Sequence, residues 1–149
     1  MSEYIKEFES IKVPLTGMNL VEAAAGTGKT YNIQNLIVRL LWEQSLDISQ
    51  IAVLSYTNEA ASELSERIRR VFDRVLAVME GRSIAKKDEA RQAEELVRHD
   101  RVLRPGIEDK ERIEVIKRAL RDFDSANIST INGFCQRLLQ RFEIGRAHV

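Results

Sequence analysis

The order strand, helix, strand, helices, strand, helix in this 149-residue chain predicts an α/β fold with a short parallel sheet and a helical insertion. Two observations carry that reading. Apolar runs of strand length occur at three places, and each is followed by apolar positions at helical spacing. A glycine-containing loop, "GTGKT", closes the first run and opens the first helix.

The elements follow in order. Residues 1–19 are polar, broken by Pro14 and by a turn near Gly17. Residues 19–23, "NLVEA", read as a short buried strand. From 29 to 43 the apolar positions Ile33, Leu36, Ile37, Leu40 and Leu41 repeat with the helical period. Residues 50–57, "QIAVLSYT", read as a second strand inside a sheet. A long helix over 59–80 carries one stripe, Ala61, Leu64, Ile68, Val71, Phe72, Val75, Leu76 and Met79, and Gly81 is its stop. Residues 73–124 hold 26 of the chain's 46 charged side chains and contain two helical patterns separated at Pro105-Gly106, the second running through Ile113, Ile116, Leu120 and Phe123. That stretch is expected to be a solvated excursion outside the sheet core. Residues 127–131, "NISTI", read as a third strand, and the helix after it places Phe134, Leu138, Leu139 and Phe142 on one side.

Composition narrows the function classes. Lys and Arg (23) balance Asp and Glu (23), so no global charge advertises nucleic acid, although local basic stretches can still bind phosphates. The single cysteine, Cys135, excludes an internal disulfide framework and points to a reducing cytoplasm. The start "MSEYIKEFES" lacks an apolar core of the secretory type, and the longest apolar stretch, "LIVRLLW", is short and interrupted by Arg39, so no membrane partner is expected.

The loop "AAAGTGKT" has the chemistry of a phosphate site. Glycines let backbone N–H groups converge on an anion, and the helix that follows adds its N-terminal partial charge. A lysine after the last glycine reaches the β- and γ-phosphates, and the next hydroxyl ligates Mg²⁺. On this pattern Ala23, Ala24, Ala25, Gly26, Thr27, Gly28, Lys29 and Thr30 are expected to bind the phosphates of a nucleotide with Mg²⁺. Lys29 and Thr30 are the candidate catalytic residues, and Thr30 is the metal hydroxyl. Ala23 stands where the pattern usually has glycine; it is still small. A chance Gly-Lys-Thr is the competing explanation, and the strand before and helix after argue against it.

Two further segments narrow the type. "LSYTNEAASELSERIRR" (residues 54–70) resembles a DNA-contacting motif of superfamily 1 helicases of the UvrD/Rep type, and "ISTINGFCQRLL" (128–139) resembles that family's next motif. The start, "FESIKVPLTGMNLVEAAAGTGKT" (8–30), is most similar to the RecB branch, the helicase–nuclease subunit of exodeoxyribonuclease V. The resemblance implies a partial RecA-like phosphate-loop NTPase domain, the N-terminal piece of an ATP-dependent DNA helicase acting in repair or recombination. It implies that Tyr56 stacks on a base of single-stranded DNA and that Thr57, Asn58 and Thr130 hydrogen-bond the DNA backbone. Asn132 replaces the family's histidine, keeping a donor and an acceptor but no charge. The implied partners are single-stranded and duplex DNA, with RecC- and RecD-like subunits in a longer parent. An AddA or UvrD-type helicase is the neighbouring alternative. A small phosphate-loop kinase would share Lys29 and Thr30, and a non-catalytic nucleotide-binding fragment is the third reading.

Other residues have plainer readings. Outside the motif, a tyrosine at a strand end is a half-buried packing residue. Arg67, Arg69, Arg70 and Arg74 read as a solvated helix face with Glu63–Arg67 and Glu66–Arg70 pairs rather than a DNA path. Cys135 reads as a small buried residue, Trp42 as a packing residue and His99 as solvent-facing. The acidic pair that a helicase needs for Mg²⁺ is not found; Asp88-Glu89 has no strand before it and is rejected for that role. Residues 1–143 are therefore expected to be the N-terminal part of a motor domain. Residues 144–149, "IGRAHV", can be written in codons as ATC GGA AGA GCA CAC GTC, which matches a common sequencing-library adapter, and are expected to be a non-native tail, with an ordinary polar C-terminus as the alternative.

Overall fold

The computed structural model describes residues 9–18 and 29–147. The expected strand over 19–23 and the loop residues Ala23 to Gly28 lie outside them. In chain order the described elements are α1 (Lys29–Glu43), β1 (Ala52–Ser55), α2 (Asn58–Met79), α3 (Lys87–Leu103), α4 (Asp109–Arg121), β2 (Asn127–Thr130) and α5 (Ile131–Ala147), with single 3-10 turns at Ile48–Gln50 and Phe123–Ser125.

β1 and β2 pair in parallel, Ala52 opposite Asn127 and Ser55 opposite Thr130. A parallel pair needs a crossover, and here α2, α3 and α4 supply it. The sequence expectation of α/β order with helices inserted between the last two strands holds, and the sheet among the described residues has two strands.

α2 is the central helix. Its predicted stripe is the buried one: Ala61, Leu64, Ile68, Val71, Phe72, Val75 and Leu76 are all buried, with Met79 half-buried at its end. Gly81 follows with φ +72, and the Arg82 N–H donates to the Ala77 carbonyl at 2.7 Å, closing the helix end. A left-handed residue just past a helix is the position glycine takes without a steric penalty.

The charged stretch departs from expectation. It is helical, as predicted, but it does not stand apart from the core. Ala93, Leu96 and Val97 of α3 and Ile116 and Ala119 of α4 join Ile37, Val38, Leu41 and Trp42 of α1 and the α2 stripe in one apolar cluster. The charges occupy the outward faces, and the few apolar residues between them fall on one side of each helix. Trp42 extends the joint by donating from Nε1 to the Arg112 carbonyl at 3.3 Å.

α1 has the predicted bounds, but its buried face is rotated from the predicted stripe. Leu36 and Leu40 are half-buried, whereas Gln34, Asn35 and Arg39 are buried with Ile37, Val38, Leu41 and Trp42. The polar residues go inside because each finds a partner there.

At the hairpin between α3 and α4, buried Arg112 donates to Asp100 Oδ2 (2.6 Å), to Asp109 Oδ1 (2.9 Å) and to the carbonyls of Ile107 (2.9 Å) and Arg104 (2.9 Å). These bonds fix the turn that Pro105-Gly106 begins.

Candidate nucleotide and nucleic-acid site

Because β1 and β2 are parallel and end level, the chain leaves both at the same edge of the sheet, the carboxyl edge where open α/β sheets bind ligands. Tyr56 and Thr57 connect β1 to α2, and β2 runs directly into α5. This brings Tyr56, Thr57, Asn58, Thr130 and Asn132 to one edge.

Tyr56 is 90% exposed, so it is not the half-buried packing residue that a strand-end tyrosine outside the motif would be. Thr57 is the N-cap of α2, and its Oγ1 accepts from the Ala60 N–H at 3.1 Å. Thr130 Oγ1 accepts in the same way from the Gly133 N–H at 3.0 Å, at the start of α5. A Cβ at position 133 would stand 3.0 Å from that oxygen, so glycine keeps the contact open. Each threonine uses a lone pair for its helix and retains its O–H proton as a donor. Asn58 and Asn132 are exposed beside them.

Next to this edge, α2 and the β2–α5 junction border a groove of about 640 Å³. Asn58, Ser62, Ser65 and Arg69 line its α2 side, and Ser129 and Arg137 the other. Arg137 Nη2 donates to Ser129 Oγ at 2.8 Å, and Arg69 stacks over the Phe123 ring at 4.5 Å from its centroid. Neither Arg137 nor Ser129 was singled out by the sequence. The available signal was the polar spacing 58, 62, 65, 69 on one face of a helix whose other face is apolar. The expected pairs are present: Arg67 with Glu63 at 2.5 Å, and Arg70 with Glu66. Arg74 instead binds Glu89 of α3 at 2.9 Å.

On the nucleotide side, α1 opens at Lys29, and its first turn contains no acidic residue. A first turn without a carboxylate of its own suits an anion, because none of its side chains offsets the partial positive charge of the helix N-terminus. Thr30 is half-buried in this first turn. The donor set therefore fits a phosphate group with an oxygen-bound Mg²⁺. Among the described residues no cluster of His, Cys, Asp and Glu could hold a metal by itself.

Two sequence expectations need correction. Cys135 is exposed, not buried. α5 packs chiefly on the sheet ends among the described elements, and Leu138, Leu139 and Phe142 on its apolar side are exposed. His99 is half-buried rather than solvent-facing, because it borders a cleft that α3 forms with residues 9–12 and α1.

Residues 6–145 match the UvrD/REP helicase N-terminal domain family. The chain belongs to that family. The match to the UvrD/REP domain takes in α1, both strand ends and the helices between them, including the segments at Tyr56 and Thr130 that a small kinase would leave unexplained. Among curated relatives, the chain is 35% identical to the RecBCD enzyme subunit RecB of Buchnera aphidicola over 137 residues, which is 87% of this chain and 11% of that protein. It is 32% identical to the RecBCD enzyme subunit RecB of Escherichia coli over 157 aligned positions, 97% of this chain and 12% of that protein. An ATP-dependent helicase/nuclease subunit of Levilactobacillus brevis is 35% identical over 129 residues, 85% of this chain and 8% of that protein. The chain thus spans about a tenth of the length of the RecB relatives it matches. No helix among the described residues is long and apolar enough to cross a membrane.

Proposed function

We propose that this chain is the phosphate-loop part of a RecB-like DNA motor, whose whole protein couples ATP hydrolysis to translocation on single-stranded DNA and duplex unwinding in repair or recombination. The observation that carries this reading is the level ending of β1 and β2, which sets exposed Tyr56 beside the capping hydroxyls of Thr57 and Thr130 within a UvrD/REP segment.

Each residue has a role that its chemistry supports. The backbone of Ala23, Ala24, Ala25, Gly26, Thr27 and Gly28 cradles the phosphates, Lys29 neutralises the β- and γ-phosphates, and Thr30 presents a hydroxyl to the metal. Bound Mg²⁺ would supply charge neutralisation between the β- and γ-oxygens. Tyr56 offers a π-face that accepts any base, which suits a motor that must move along arbitrary sequence. Thr57, Asn58, Thr130 and Asn132 donate to sugar–phosphate oxygens, and these contacts position without reading bases. Partners of the whole protein would be DNA and RecC- and RecD-like subunits. An AddA-type parent is the second reading, favoured by the similarity to the Levilactobacillus brevis protein.

Hydrolysis also needs acidic residues for Mg²⁺ and the attacking water, and an arginine for transition-state charge. The sequence offers no acidic pair after a strand, so this chain by itself is proposed to bind nucleotide without DNA-stimulated turnover. Phosphate release with and without oligo-dT, compared with Lys29→Ala, tests this. The expected result is no DNA-stimulated rate above the Lys29→Ala background, and turnover that Lys29→Ala abolishes would overturn it.

A further inference from the structure

α1 is the helix that opens at Lys29, and its buried face carries three polar side chains, Gln34, Asn35 and Arg39, at 6%, 0% and 5% exposure. Burying such groups is costly unless protein partners replace water. The partners come from two other elements. Gln92 of α3, itself buried, donates from Nε2 to Asn35 Oδ1 at 2.9 Å and to Gln34 Oε1 at 3.2 Å. Asn35 donates onward from Nδ2 to Ser10 Oγ at 2.9 Å. One turn later, Arg39 Nη1 donates to the carbonyls of Ser10 (2.9 Å) and Val13 (2.7 Å), while its Nε holds Glu43 at 2.5 Å. Among the described residues, no buried side-chain nitrogen or oxygen lacks a partner.

This chain of bonds does something that apolar packing cannot. An apolar helix face tolerates a small rotation or slide, because dispersion contacts are non-directional and can be remade. Directional amide bonds fix one register, and setting a register is the best-attested use of buried polar groups. Gln34 is five residues from Lys29, roughly 7.5 Å along the axis at 1.5 Å per residue. A helix is stiff over that length, so a change of register at Gln34 and Asn35 moves its phosphate-binding end with it.

We propose that Gln92 and Asn35 are positioning residues for the nucleotide site: through them, α3 of the helical insertion sets the rotation and axial position of α1, and so where Lys29 and Thr30 stand. The inference rests on the nucleotide reading of Lys29 and Thr30. It gives the insertion a role in the motor beyond completing the core, because a side chain on α3 acts on a ligand it does not touch.

The test replaces the three amides that join α1 to α3, Gln34→Leu, Asn35→Leu and Gln92→Met together in the 149-residue chain, with Arg39 and Ser10 left in place. Removing the three amides together leaves none of them without a partner and takes away only the Asn35 bond to the Ser10 hydroxyl, so folding stability is largely kept. Mg-ATP affinity is measured by titration calorimetry, thermal melting by circular dichroism, and amide exchange over residues 33–37, whose N–H groups bond back to residues 29–33 at the start of α1. The expected result is near-native melting, Mg-ATP binding weakened roughly tenfold, and faster exchange over 33–37 with α2 unchanged. Native affinity together with native exchange over 33–37 would overturn the proposal. Should the triple variant not fold, Gln92→Met alone is measured in the same way and is expected to show the same losses. Lys29→Ala separates the two readings. Equal Mg-ATP binding by Lys29→Ala and the native chain would defeat the nucleotide reading, while exchange over 33–37 still decides whether the network holds α1.

Discussion

Ser55 and Thr130 are the last paired residues of the parallel sheet, and beyond them the two strands hand over to helices at the same level. Thr130 caps its helix within its own strand end, and Thr57 caps α2 two residues beyond Ser55. Two hydroxyls and one exposed aromatic ring are thereby held at one edge by backbone geometry, not by side-chain packing. The arrangement can therefore be probed one residue at a time with little effect on the core.

Tyr56→Ala is expected to weaken binding of an oligo-dT strand while leaving thermal melting unchanged, because the ring is 90% exposed and contributes little to folding. Base–aromatic stacking is worth ~1–3 kcal/mol, or roughly 5- to 150-fold in affinity. Tyr56→Phe should keep most of it. Fluorescence anisotropy at fixed salt checks both, and an Ala variant that binds as well as the native chain would defeat the proposed stacking of Tyr56 on DNA.

Thr57→Ala removes the acceptor for the Ala60 N–H and should destabilise the chain by about 1 kcal/mol, whereas Thr57→Ser or Thr57→Asp should restore it. The two replacements part company on DNA. Serine keeps an O–H donor, and aspartate places a negative charge where the proposed contact puts a DNA phosphate. Urea unfolding paired with oligonucleotide binding therefore separates the cap from the contact: Asp should rescue stability alone.

The elements themselves were readable from periodicity. α1 has its predicted bounds and the α2 stripe is the buried one, since both depend on spacing within a single helix. Partnership between distant segments was not readable. Ala93, Leu96 and Val97 look like scattered apolar residues in a charged run until α2 lies beside them. Gln34 and Asn35 look like surface residues until Gln92, 57 residues beyond Asn35, comes within 2.9 Å. In α5 periodicity reached the side but not its surroundings. Leu138, Leu139 and Phe142 form an apolar side, but periodicity identifies such a side without saying what covers it. Arg137 was missed because its groove exists only where α2 and α5 approach.

Arg112 is the most exacting position in the insertion. It is 2% exposed and bonds Asp100, which is equally buried, at 2.6 Å. Arg112→Met leaves the Asp100 carboxylate buried with only Arg104 to balance it and is expected to cost about 3–5 kcal/mol. Pairing it with Asp100→Leu should recover much of that loss, since the buried charge is then gone. Denaturant midpoints for the two singles and the double measure the coupling. Strict additivity would mean that the pair does not act as a unit.

Acid sensitivity follows from the neighbouring pair. Asp109 has its pKa lowered first by its hydrogen bond from Arg101, then by that residue's charge, with Arg112 adding to both effects. Arg101 is raised by the same contact. A carboxylate whose folded pKa lies below its unfolded value adds stability that is fully present above the unfolded pKa, near 3.9 for Asp. That contribution is lost as pH falls from there through the lowered folded value. Arginine stays protonated throughout this range and adds no slope of its own. The pair is largely solvent-accessible, so salt screens it and the contribution is small. Urea midpoints recorded from pH 6 down to pH 2 should fall more steeply for the native chain than for Asp109→Asn, and 0.5 M salt should narrow the difference. A variant with the native slope below pH 4 would show that the acid limb is set elsewhere.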